Sequence, residues 1–230
     1  MLALIKTLKA KRLPKSERNF KRLLDEHKIN CVFDVGANVG QYAQSLRKIG
    51  YEGRIVSFEP LSKNIAILQE KSKSDSLWEI APQMAVGAIA EEVEINVSHD
   101  SDMSSILDIS EKTLEALPGG VYESKETVQV KPVASFFEEY VDEGENVLLK
   151  VDTQGYEMSV LEGAENVLDK ITGLQLELSF FPLYDGEKLF DEVVHWLKEK
   201  SFAVHLLLPG YFSRKLMRQM QADFVFFRNS

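Results

Sequence analysis

Cysteine is nearly absent from this chain of 230 residues: Cys31 stands alone, which excludes an internal disulfide. Set in an apolar run, it reads as a buried structural thiol rather than a nucleophile, and it fits a reducing, cytoplasmic setting. Long hydrophobic runs are missing too. No stretch approaches the ~18–20 apolar residues that span a bilayer, and residues 1–14 lack the uninterrupted apolar core of a secretory signal. Within residues 1–13, Leu4, Ile5 and Leu8 line one side of a basic segment. That segment reads first as a leader helix packing on the domain or a partner, and second as a weak peripheral contact with an anionic membrane. Net positive charge is lacking as well. A formal charge of −9 disfavours a nucleic-acid partner, because phosphate binding rests on a basic footprint. No internal repeat, low-complexity tract or linker-like break divides the chain.

What is present is an alternation of strand-like and helix-like segments, the pattern of an α/β, doubly wound Rossmann-like sheet with helices on both faces. After a helical leader over 1–28, in which Ser16 is placed to cap a helix over 16–28, one domain is expected over 29–230. Its strands are expected at 31–35, 54–58, 78–86, 92–97, 127–130, 146–151 and 174–178. Two more, at 202–208 and 223–227, close the chain as an antiparallel edge pair. Helices are expected at 41–49, 61–71, 133–140, 157–168 and 187–200. Residues 100–120, rich in Ser and Asp with a Pro-Gly-Gly, read as a long functional loop with a short helix. The expected result is an open, mainly parallel sheet of about seven strands, with its ligand at the carboxyl ends.

Chemistry concentrates first at Val32-Phe-Asp-Val-Gly-Ala-Asn-Val-Gly-Gln41. An apolar strand ends in Asp34, and Gly36 and Gly40 bracket a tight turn into a helix whose amino end suits a carboxylate. Glu59 ends the next strand, about 20 positions on, where an acid accepts hydrogen bonds from ribose hydroxyls. A dinucleotide site requires G-x-G-x-x-G, whereas Asn38 and Gln41 occupy the second and third glycine positions. Asp34 would repel a phosphate and favour an ammonium. The spacing therefore prefers S-adenosyl-L-methionine over NAD. The expected donor-side residues are Asp34, Gly36, Ala37, Asn38, Gly40, Gln41, Glu59, Pro60, Met84 and Ala85, the last two as contacts for the adenine ring or as ordinary core.

The acceptor side is expected where Val147-Leu-Leu-Lys-Val-Asp-Thr-Gln-Gly-Tyr-Glu157 ends, beside the first strand. A protonated alcohol is a poor nucleophile, so a base or a metal ion is wanted, and Asp152 suits either role. Its bland alternative is an N-cap for the following helix.

These stretches, with Phe58-Glu-Pro60, Asn96-Val-Ser-His-Asp-Ser-Asp-Met-Ser-Ser-Ile-Leu107, Leu176-Glu-Leu-Ser179 and Pro182-Leu-Tyr184, resemble the FkbM family of methyltransferases over roughly residues 30–227. The resemblance implies a class I methyltransferase fold and O-methylation of a hydroxyl on a small molecule, carbohydrate, glycan end or polyketide-type metabolite. It also implies that Asp34, Gly36, Asn38 and Glu59 hold the donor, while Ser104, Ser105 and Asp152 face the reaction site.

Other candidates carry two readings each. His99, beside Asp100 and Asp102, is either a general base or a solvated loop histidine. His27 closes the first helix, where the dipole favours a cation, and needs no catalytic role; His195 and His205 are expected as structural or surface residues. Asp152, Glu157 and Glu177 offer hard oxygen ligands, so divalent-metal dependence stays open. Phe180, Phe181 and Tyr184 form either a wall for the acceptor or a packed loop.

Overall fold

The computed structural model describes residues 13–98, 104–110 and 122–228. Helix α1 (Lys15–Glu26) leads into β1 (Cys31–Val35), α2 (Gln41–Ile49), β2 (Arg54–Phe58), α3 (Ser62–Ser72), β3 (Trp78–Ile80), β4 (Ala85–Val86) and β5 (Glu91–Ser98). Then follow β6 (Tyr122–Lys131), α4 (Val133–Tyr140), β7 (Val147–Val151), α5 (Glu157–Gly163), a 3-10 turn (Glu165–Lys170), β8 (Ile171–Ser179) and α6 (Phe190–Glu199). The chain ends in β9 (Phe202–Pro209), a short pair β10 (Phe212–Ser213) and β11 (Arg218–Gln219), and β12 (Gln221–Arg228). No helix among the described residues is long and apolar enough to cross a membrane.

Seven strands form the main sheet in the order β3-β2-β1-β7-β8-β12-β9. All neighbours pair in parallel except β12, which runs antiparallel to both β8 and β9. The expected terminal antiparallel pair is present, with β12 inserted inside and β9 at the edge. The central strands β1 and β7 are buried along their whole length, as strands covered on both faces must be. On one face Phe20, Leu24, Ala43, Leu46 and Leu68 from α1 to α3 pack on Val32, Leu148 and Phe227. On the other, Phe136, Phe137, Val160 and Leu197 from α4 to α6 pack on Phe33, Leu149 and Leu176. Phe33 is fully buried and within ring-contact distance of Phe58, Phe136, Phe137 and Tyr140. Its replacement by Ala is worth about 3–5 kcal/mol of stability.

The strand expected over 78–86 is two. β3 belongs to the main sheet, whereas β4 pairs with β6 in a separate three-stranded sheet with β5. Ala81 and Met84 bond back to β2 and Glu59 between them, breaking the run. The expected 157–168 helix likewise tightens to 3-10 geometry after Gly163. There a Cβ would collide with the Gly87 carbonyl oxygen at 2.0 Å, so the helix and β4 meet in near backbone contact. Ser16 does not cap α1, whose N-cap is Pro14. The second half of the expected leader packs on the sheet through Phe20 and Leu24, while residues 1–12 lie outside the described residues.

Candidate active site

A cavity of about 770 Å³ opens at the carboxyl ends of β1, β2, β7 and β8. On its first side the chain leaves β1 through Gly36 (φ +74), Asn38 (φ +48) and Gly40 (φ +86), three left-handed residues within five. The amides of Gly36 and Ala37 both donate to Phe58 O at 3.1 Å, tying this loop to the end of β2. Gly36 also presses on β7, where a Cβ would fall 1.9 Å from the Asp152 carbonyl oxygen.

Glu59 closes the same side. Its Oε2 accepts the Asn38 amide at 2.8 Å, and its Oε1 accepts Leu61 N–H at 3.0 Å and the Asn64 amide at 3.1 Å. Burial pushes its pKa up to about 7, although these three donors oppose the rise. Gly36, Ala37, Asn38, Gln41, Glu59, Pro60, Met84 and Ala85 all line the cavity.

Two expected donor-side residues do not. Gly40 is a packing glycine: a Cβ there would meet the Trp78 ring at 2.6 Å. Asp34 is fully buried beneath the loop, so a direct grip on a ligand ammonium is closed to it. Its Oδ1 lies 3.0 Å from Lys150 Nζ, and its Oδ2 accepts from Ser57 Oγ at 3.3 Å, which in turn accepts from Trp78 Nε1 at 2.9 Å.

Lys150 is the residue that sequence reasoning missed. It sits mid-motif between Leu149 and Val151, where a lysine reads as an interruption of an apolar strand. Only 4% exposed, its ammonium donates to Gly36 O at 3.1 Å and Val35 O at 3.4 Å, and approaches Asp152 Oδ2 at 3.6 Å. Burial alone would lower its pKa, but Asp34 and Asp152 outweigh that and raise it, so it stays a cation. One buried charge thus joins the loop after β1 to the acid after β7.

The far side of the cavity is organised by Gln154, in the left-handed region at φ +56. Its Nε2 donates to Asp152 Oδ1 at 2.8 Å and to Glu177 Oε2 at 2.9 Å, and its Oε1 accepts Tyr184 O–H at 2.7 Å. Burial, then Asp152, Asp223 and Glu157, push the Glu177 carboxyl well above the usual carboxylate range. Asp223, up to about 6 through burial, accepts from Gln175, which accepts Tyr42 O–H. Asp152 is not a helix cap. The N-cap of α5 is Tyr156, and Glu157 Oε1 takes the loop's donors, Thr153 N–H at 2.8 Å and Gly155 N–H at 3.3 Å.

Of the acceptor-side residues, Asp152, Tyr184 and Ser104 line the cavity. Ser105 does not: it is buried and clamps its loop by donating to Gln154 O at 2.7 Å. His99 lies outside the described residues. Phe180 packs into the core against Phe190 and Phe224, and Phe181 lies under the Arg218 guanidinium, so only Tyr184 of the expected aromatic wall faces the cavity. His27 stacks on Phe227 at 3.7 Å, and burial with His205 lowers its pKa. Among the described residues, no group of three or more His, Cys, Asp or Glu side chains is arranged to hold a metal ion.

The sheet order, with a cleft at the carboxyl ends of its strands, defines a Rossmann-like α/β protein. The sequence model of the Methyltransferase FkbM domain matches residues 34–204, so the chain belongs to the FkbM methyltransferase family. Among solved structures it is similar to a methyltransferase FkbM from Methylobacillus flagellatus KT, with TM-score 0.52, 14% identity, and coverage of 85% of this chain and 43% of that one. It is also similar to an uncharacterized protein from Listeria monocytogenes serotype 4b, with TM-score 0.51, 8% identity, and coverage of 95% and 69%. The chain therefore spans less than half the length of the Methylobacillus protein. At these identities the likeness concerns the fold. No curated protein matches the chain.

Proposed function

We propose that this chain transfers the methyl group of S-adenosyl-L-methionine to a hydroxyl of a carbohydrate, glycan or secondary metabolite. The observation that carries the reading is a single cavity that joins Gly36–Asn38 and Glu59 to Asp152, Gln154 and Tyr184. Its volume lies within the ~300–1,000 Å³ typical of small-molecule sites. The donor set fits the nucleoside: Glu59 spends three acceptor positions on protein donors, and a carboxylate has about four, leaving one toward the cavity for a hydroxyl. Glu59, the peptide groups of Gly36–Asn38, and Met84 with Ala85 would hold it. Asn38, where a dinucleotide fold wants glycine, supports this choice over NAD. When bound, S-adenosylmethionine supplies an electrophilic methyl on a sulfonium.

The chain's own work is then positioning and proton removal. Asp152, about a third exposed and lining the cavity, takes the acceptor's hydroxyl proton on its carboxylate. Gln154 holds that carboxylate in orientation, and Tyr184 holds Gln154. Lys150 keeps the Gly36 loop and Asp152 in fixed relation. The net charge of −9 supports a non-nucleic-acid acceptor.

The test is transfer of labelled methyl from S-adenosylmethionine into a panel of hydroxyl-bearing metabolites and glycans. Wild type should label at least one class. Asp152→Asn should lower turnover at least about 100-fold while donor affinity stays within a factor of three or so. An unchanged rate for this variant on the true acceptor would remove Asp152 from the mechanism.

A further inference from the structure

The hairpin formed by β10 and β11 is not used by the chemistry above, and its composition differs from the rest of the molecule. From Lys200 to Ala222 the chain carries no Asp or Glu, although it has 36 acidic residues in all. The turn between the two strands is Arg214-Lys215-Leu216-Met217, and Arg218 opens the return strand. All five of these residues are exposed. Large apolar side chains crown it: Met217 is 75% exposed, and Phe212 and Leu216 are each 45% exposed. Met217 holds a left-handed backbone at φ +50, and Leu216 N–H is tied to Ser213 Oγ at 3.2 Å, so the turn is a defined shape. The base is anchored. Tyr211 and Met220 pack with Leu183 and Tyr184, and Arg218 lies over the Phe181 ring at 4.9 Å. Tyr211 and Gln221, on either side of the hairpin, line the cavity.

We infer that this hairpin docks on an anionic lipid bilayer, Phe212, Leu216 and Met217 entering the acyl boundary while Arg214, Lys215 and Arg218 meet the headgroups. Charge complementarity favours that occupant. A protein of net charge −9 is repelled by an anionic surface except at a local basic patch, and the acid-free hairpin supplies one. The size of the surface favours it too. A convex turn of a few residues falls far short of the ~1,000 Å² a specific protein interface needs, whereas a bilayer requires only a few apolar side chains with adjoining cations. The inference concerns binding alone and does not depend on the methyl-transfer reading.

The test is co-sedimentation of the full chain with vesicles of phosphatidylcholine alone and of phosphatidylcholine mixed equally with phosphatidylglycerol. Wild type should bind the anionic vesicles, and the binding should weaken as salt rises. With about fivefold per cation, Arg214→Gln/Lys215→Gln should bind about 25-fold more weakly. Leu216→Ser/Met217→Ser should also lose binding. Leu216→Trp should blue-shift its emission on anionic vesicles only, a readout that holds even if another variant folds poorly. Absence of anionic binding, equal binding to both vesicles, or full binding by the hairpin variants (which would assign it to residues 1–13 or elsewhere) overturns the proposal. So does concentration-dependent self-association that the Leu216→Ser/Met217→Ser change abolishes without any vesicle binding.

Discussion

Replacing Lys150 with methionine removes the cation that faces Asp34 in the interior. Methionine has nearly the same length and suits β7, so the change isolates the charge from the packing. Asp34 is fully buried, and apart from Lys150 at 3.0 Å it keeps a single long bond from Ser57 at 3.3 Å. Gly36 O and Val35 O lose their ammonium donor in the same step. Breaking one partner of a buried ion pair costs about 3–5 kcal/mol, because the remaining charge is stranded in low dielectric. Against a total stability of about 5–15 kcal/mol, that is a large share, and it corresponds to a fall in Tm of about 10 °C for a chain of this size. Urea unfolding followed by circular dichroism gives the loss as a shift of midpoint at constant slope. Asp34→Asn/Lys150→Met removes both charges and should recover at least half of the deficit, giving a coupling energy of at least about 2 kcal/mol. A Lys150→Met protein within about 1 kcal/mol of wild type, or a double variant as unstable as the summed singles, would refute the buried-pair argument.

Two further outcomes follow from the same geometry. Gly40→Ala forces a Cβ to within 2.6 Å of the Trp78 ring at a backbone angle of φ +86 that alanine resists, so it should cost about 2–4 kcal/mol, read by denaturant unfolding. Stability should also fall as pH rises from about 5 to 8. Glu59 and Glu157 have folded pKa values raised from 4.5 to about 7 by burial, and Asp223 is raised from 3.8 to about 6. Between those limits the folded chain binds more protons than the unfolded one, and the slope of stability with pH is negative. A carboxylate moved as far as Glu59 contributes up to about 3 kcal/mol of this loss. Unfolding midpoints that rise steadily over that range would contradict the burial of these acids.

Much of the fold was legible because the local signals agree with the tertiary answer. β1 and α2 begin and end where the apolar run and the bracketing Gly40 and Gly50 place them, and Gly50 takes the left-handed cap at φ +89. The division of 78–86 was not legible. Pro82 interrupts the run, but that its two halves join different sheets depends on the pairing of β4 with β6, far along the chain. In the candidate site, the glycine turn, Glu59 and Asp152 could be located because strand ends and turn chemistry are local. The direction of Asp34 could not, because facing the ligand or the sheet interior depends on Lys150, 116 positions away in sequence and adjacent only through the β1–β7 register. Gln154 was hidden for a similar reason: nothing local predicts that one amide will bridge Asp152, Glu177 and Tyr184.

Calorimetric titration of the full chain with S-adenosylmethionine, and in parallel with NAD, addresses the central claim most directly. Saturable heat with the methyl donor at one site per chain, weakened at least about tenfold by Glu59→Ala, with no response to NAD, is the predicted result. Saturable binding of NAD with silence toward S-adenosylmethionine would contradict it.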